Sequence, residues 1–182
     1  MNPMKIIKKY YRPGSPAYNA LLQHSKAVTH KALEIAKKAK HLKPDYKFIK
    51  EASMLHDIGI FLTDEPEIGC YGKKRYLYHG LLGRKILEKE GLPKHALVCE
   101  RHVGVGITAK DIEKNKLALP KRDMVPVSIE EGIICLADKF FSKSKKFSKK
   151  EKTLSQIIED LSVYGKDKVK KFNELLKKFN YT

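Results

Sequence analysis

The chain has 182 residues, 42% hydrophobic and 32% charged, with no tryptophan and a formal net charge of +17. That length suits one domain with a real core, the apolar content excludes global disorder, and no apolar run approaches the roughly 20 residues of a membrane span. The lysine-dominated excess charge gives a positive surface potential that attracts anions such as nucleotides, nucleic acid or acidic lipid.

Helical periodicity runs through almost the whole chain, and clean period-two alternation is absent. A short helix is expected over residues 3–11, ended by Arg12-Pro13-Gly14. Ser15 caps a long helix to about residue 42, and Pro44 opens another that ends at Gly59. Residues 60–78, with Pro66, Gly69 and Gly72, read as a loop. Helices follow over 79–90, stopped by Gly91 and Pro93, and over 93–102, ended by Gly104 and Gly106. Residues 108–126 read as mostly irregular. Ser128 caps a helix to about residue 143, with Glu130 and Glu131 favourable in its first turn. Two lysine-rich helices over 150–164 and 166–179 finish the chain, and the lysine–serine run over 142–152 reads as a solvated linker. Cys70, Cys99 and Cys135 are widely spaced and form no CxxC, which argues against a disulfide framework or cysteine zinc site and fits a reducing cytoplasm.

The core pattern is broken by ionisable groups. On the first long helix Leu21, Val28, Ala32 and Ile35 form the apolar stripe, and His24 lies on it while His30 lies off it. His56 follows Ile49, Ala52 and Ser53 on one face; His79 precedes Leu82, Gly83 and Ile86; His102 follows Val98 and Cys99; Asp138 follows Ile134 and Cys135. Asp57 stands beside His56. A lone histidine on an apolar stripe is more often a hydrogen-bonded core residue than a ligand. Five helices each giving a core position to an imidazole or carboxylate point to a shared solution, because a buried carboxylate is costly unless paired or metal-bound. His24, His56, Asp57, His79, His102 and Asp138 make a mixed nitrogen and oxygen donor set that suits Fe, Mn, Co, Ni or Zn. The set is large enough for two metals bridged by one Asp.

The order His24…His56-Asp57-Ile58-Gly59…Ala137-Asp138-Lys139 resembles the HD-domain superfamily of metal-dependent phosphohydrolases over residues 18–141. His79-Gly80 and His102 fall where its two-metal branch has extra histidines, as in the similar bacterial HD-domain diadenosine tetraphosphate hydrolases. ERHVGVGI, LALPKRDMVP and IEEGIICLADK resemble an archaeal HDIG-type branch. The resemblance implies an all-α helical bundle in which His24, His56, Asp57 and Asp138 hold one divalent metal, and His79 and His102 complete a second site bridged by Asp57. Mg is a further candidate metal. A metal-bound hydroxide would then attack phosphorus, with Asp57 and His56 at the catalytic centre. The HD domain with its N-terminal helix is assigned to residues 1–148, and a basic C-terminal extension, packed on or beside it, to 149–182.

Lys73, Lys74 and Arg75, just ahead of His79, join Tyr76 and Tyr78 in a loop able to hold phosphate and stack a base. Arg84 and Lys139 complete the substrate-binding candidates, while Arg101 is read as facing water. His95 lies about 10 Å along the helix from His102, too far for the same metal, and His41 is read as exposed. The expected activity is hydrolysis of a phosphate ester or anhydride of a nucleotide or small phosphorylated metabolite by a cytoplasmic enzyme with no membrane partner. The competing expectation, resting on the charge, is a basic module that binds nucleotide or nucleic acid around a structural metal.

Overall fold

A computed structural model describes residues 1–143 and 150–181. Within them the chain is an all-α assembly of α1 (Pro3–Tyr10), α2 (Pro16–Lys38), α3 (Tyr46–Leu55), α4 (His79–Lys89), α5 (Pro93–Arg101), α6 (Ala109–Lys114), α7 (Ile129–Asp138), α8 (Leu154–Ser162) and α9 (Lys166–Lys178). No helix among these residues is long and apolar enough to cross a membrane.

The starts of the helices follow from their caps. The side chains of Asn2, Ser15, Asp45, Thr108, Ser128 and Thr153 each accept a backbone N–H at a helix start. Thr108 with Asp111 and Thr153 with Gln156 form reciprocal capping boxes. The first of these makes α6 inside a segment expected to be irregular. The expected loop over 60–78 holds 3-10 turns and a small antiparallel pair, β1 (Asp64–Glu65) and β2 (Cys70–Tyr71), with Asp64 opposite Tyr71. A two-residue strand is too short to leave an alternating signature. The helix expected to reach residue 143 stops at Asp138, because the amides of Phe140 and Phe141 turn back onto the carbonyls of Ala137 and Asp138. The expected linker over 142–152 and the division at residue 148 fall largely on residues 144–149, outside the described residues.

Two apolar clusters fill the interior. One joins Val28, Ile35, Ile49, Val98 and Ile134 with Ile157, Leu161, Phe172 and Phe179 of the C-terminal helices. The other joins Ile7, Leu21, Leu55, Ile58, Leu87 and Cys99. α8 and α9 thus share a core with α2, α3 and α7. Lys31, buried on α2, ties them further: its ammonium lies 2.6 Å from Glu151 and 2.9 Å from the Tyr181 hydroxyl.

The seam between the clusters is where the polar residues gather. Leu21 and Val28 flank His24 on α2 and belong to different clusters, and so do Ala52 and Leu55 on α3. Three helices meet at the seam with almost no side chain between them. A Cβ on Gly59 would lie 2.3 Å from the His79 carbonyl oxygen and 2.4 Å from the Gly83 nitrogen. One on Gly80 would lie 2.5 Å from the Cys99 carbonyl oxygen. Cys99 closes the junction by donating its thiol to the Leu55 carbonyl at 3.3 Å. Because the obstruction at Gly59 is backbone, Gly59→Ala is expected to destabilise the fold by about 3 kcal/mol. Chemical denaturation checks this; a loss well under 1 kcal/mol contradicts it.

Candidate metal centre

Each functional side chain is delivered by the end or inner face of a different element. His24 comes from the middle of α2, His56 and Asp57 from the turn just after α3, His79 from the first residue of α4, His102 from the residue capping α5 and Asp138 from the last residue of α7. All six are buried, and Asp57 and His56 are fully so. His24, His56, Asp57 and Asp138 form one group whose donor atoms lie within 4.8 Å of one another, and Asp57, His79 and His102 form a second. Asp57 is common to both. The structure therefore brings together every ligand expected from the sequence, while His30 and His41 are exposed. His95 is held apart beside the Phe48 ring and 3.6 Å from Glu51.

The hydrogen bonds fix where protons sit. The Nδ1 atoms of His56, His79 and His102 lie 2.7, 2.7 and 2.8 Å from the backbone carbonyls of Ser53, Tyr76 and Cys99. A carbonyl only accepts, so each Nδ1 carries a hydrogen, and a ring that is neutral, as His79 and His102 are, presents a bare Nε2 lone pair. Those of His79 and His102 face each other at 3.1 Å, and each is 3.3 Å from Asp57 Oδ1. Burial pushes the pKa of His79 down to about 3, aided by His102 and Lys143 despite the opposing pull of Asp57. Burial likewise lowers that of His102. Two neutral rings therefore aim lone pairs at each other and at a carboxylate, an arrangement that repels unless a cation sits among them. Asp57 Oδ1, fully buried, has only these two bare Nε2 atoms beside it and receives no hydrogen bond. The donor set fits a divalent metal on these grounds, and the backbone carbonyls supply the outer support that orients metal-binding imidazoles.

The other group balances charge differently. His24 Nε2 is 2.9 Å from Asp138 Oδ1 and 3.2 Å from Asp57 Oδ2. His56 Nε2 is 3.1 Å from Asp57 Oδ2. Burial opposes a charge on His56, but Asp57 and Asp138 outweigh it and raise its pKa to about 9. Burial by itself would raise the Asp57 carboxyl; the His56 imidazolium and Lys143 ammonium hold it well below the usual carboxylate range instead. Asp138 is held low in the same way by Lys139 and Lys143.

Lys143 was hidden in the sequence inside a presumed linker. Its ammonium lies 2.8 Å from Asp57 Oδ2, and Lys139 lies 2.7 Å from Asp138 Oδ2. Tyr76, whose ring stacks on His79 at 4.6 Å, forms part of the same wall. Asp138, Lys139, Lys143 and Tyr76 open onto a cavity of about 630 Å³. Lys73, Lys74 and Arg75 are exposed and stand outside the described wall of this cavity. Arg84 stands outside it too, paired with Glu88 at 2.8 Å and with buried Glu100 at 2.5 Å; Glu100 also pairs with Arg122. Arg101, expected to face water, instead grips both oxygens of Glu131 at 3.0 Å.

A cation entering the His56 group must displace the proton that His56 holds below about pH 9. Affinity for Mn²⁺ is therefore expected to rise as pH rises toward 9, by about tenfold per unit for one displaced proton. Calorimetric titration at two pH values one unit apart tests this, and equal affinities contradict it.

The family described as HD domain matches residues 21–143, well over half of the chain. An uncharacterized protein of Methanocaldococcus jannaschii is 34% identical over 129 residues, covering 69% of each chain. The tRNA (cytidine(56)-2'-O)-methyltransferase of Thermoplasma volcanium is 30% identical over 156 residues, 85% of this chain but 39% of that protein. The protein of the same name from Picrophilus torridus is 33% identical over 102 residues, 56% of this chain and 26% of its own length. The chain thus spans well under half of either methyltransferase. No solved structure matches it. With the matched segment containing all six converging histidines and aspartates, the chain belongs to the HD-domain family.

Proposed function

We propose that this chain is a metal-dependent phosphohydrolase that holds two divalent cations and cleaves a phosphate ester or anhydride of a nucleotide or small phosphorylated metabolite. The observation that carries the reading is the pair of lone-pair-presenting imidazoles, His79 and His102, facing the carboxylate that also serves His24, His56 and Asp138. His24, His56, Asp57 and Asp138 would hold one cation, and Asp57, His79 and His102 the other; Fe, Mn, Co, Ni or Zn suits the donors, with Mg a further candidate. The metals supply activation of water and neutralisation of charge on the phosphoryl group.

The chain's own residues do the rest. Asp57 and His56 form the reactive centre, and Asp57 sets the separation between the two groups. Lys139 and Lys143 stand at the floor of the cavity with ammonium groups able to bind phosphate oxygens. Tyr76 and the backbone carbonyls hold the imidazoles in place and exclude water from behind the donors.

Protein purified without chelator is expected to contain about two metals per chain and to hydrolyse members of a nucleotide and sugar-phosphate panel. Asp57→Ala should lose metal and activity together, by at least about a hundredfold in kcat. A folded Asp57→Ala protein with undiminished turnover would sink the reading.

A second reading has its own support: two relatives are named for modification of tRNA, and this chain carries a net charge of +17. In it the chain is a nucleic-acid-binding module with a structural metal. Affinity for tRNA that falls steeply with salt and survives Asp57→Ala, in a protein without hydrolase activity, would favour it.

A further inference from the structure

The cavity above the metal-binding residues is not closed by the segment matching the family alone. Its far side is α8 and the turn that follows it, which lie beyond residue 143; α8 contributes Ile157 and Leu161 to the wall, and the turn contributes Val163 and Tyr164. Ile157 and Leu161 are buried in the main apolar cluster, so α8 is fixed in place. Val163 and Tyr164, just past its end, are 82% and 75% exposed and form an apolar shelf at the cavity rim. What sets Tyr164 apart from the comparably exposed Tyr71 is its place in the cavity wall, where its ring is available to stack a flat ligand group.

The polar groups are divided. Lys139 and Lys143 lie with Asp138 at the floor. Glu65 and Glu67, from the loop between α3 and α4, line the cavity as well. Asp160 does so from α8, neutralised by Lys152 at 2.7 Å. Lys139 and Lys143 offer positive charge to a phosphate at the floor, whereas Glu65 and Glu67, in the same lining, would repel further phosphates that came near them; Lys152, the third lysine of the lining, is occupied by Asp160. The volume, about 630 Å³, lies in the range of small-molecule sites.

We propose that α8 is the specificity wall of this site and that Tyr164 stacks the uncharged aromatic ring of a substrate bearing a single phosphate, with the phosphate toward Lys139 and Lys143. A nucleoside monophosphate is the ligand class that has both parts. The proposal rests on the phosphohydrolase reading for the destination of the phosphate, but the stacking itself is a binding property that is measured without turnover.

The test compares binding of adenosine 5'-monophosphate and ribose 5-phosphate, which lacks the base, to full-length metal-loaded protein by calorimetry. Wild type, Tyr164→Ala and Tyr164→Phe are used, and matching thermal melts confirm that this exposed position leaves the fold intact. Tyr164→Ala is expected to raise the Kd of the nucleotide by about tenfold, the scale of a lost base–aromatic stack. It should leave ribose 5-phosphate binding unchanged, and Tyr164→Phe should behave as wild type. Adenosine triphosphate is expected to bind wild type more weakly than the monophosphate. An unchanged nucleotide Kd in Tyr164→Ala, equal losses for both ligands, or no binding to wild type overturns the proposal; tighter triphosphate binding overturns its single-phosphate part. Tyr164-dependent binding without hydrolysis would uphold the wall and sink the phosphohydrolase reading, whereas hydrolysis indifferent to Tyr164 would do the reverse.

Discussion

A carboxylate with no exposure to water sits at the meeting point of four imidazoles, and the architecture is organised around keeping Asp57 there. Burying such a charge costs several kcal/mol unless opposite charge surrounds it. Oδ2 faces His24, His56 and Lys143, and Oδ1 faces His79 and His102. Removing Asp57 would therefore unbalance both halves of the cluster, whereas losing His79 or His102 touches one half directly.

Delivery of these groups depends on close backbone approach. The turn after α3 presses on α4 at Gly59 and Gly83, and α4 presses on α5 at Gly80 and Cys99. Those contacts bring the end of α5, the start of α4 and the turn after α3 to the centre beside the middle of α2, and there His56, His79 and His102 each bond a carbonyl three residues back. Ring orientation is thus set locally by the helical turn, and only the helix packing has to be set globally. The apolar clusters on either side of the seam supply that packing.

The six converging residues were legible because they stand at helical spacing from core residues of their own elements: His24 between Leu21 and Val28, Asp138 after Ile134. The helical framework was legible from its caps and its proline and glycine punctuation. Lys143 was not. It lies past the end of α7, in a run whose composition looks solvated, and only the turn of the chain at Phe140 and Phe141 returns it to Asp57. Arg84 was read as a substrate contact and Arg101 as facing water for a similar reason, since Glu100 and Glu131 come from other helices; of their partners only Glu88, four residues after Arg84, is announced by local spacing. Packing of the C-terminal helices on or beside the domain was expected, but which helices α8 and α9 cover was not legible, because an amphipathic stripe says that a face is covered but not by what.

Near the cavity floor Asp57 and Asp138 are matched by the ammonium groups of Lys143 and Lys139. The protein thereby neutralises its own carboxylates with flexible side chains. A dication taken up by those carboxylates would leave the two lysines without counter-ions, facing the cavity. Metal and anionic ligand would then bind with positive thermodynamic coupling, each strengthening the other by the same factor. The same lysines would answer to the protein in one state and to the ligand in the other, making anion affinity a gauge of metal loading.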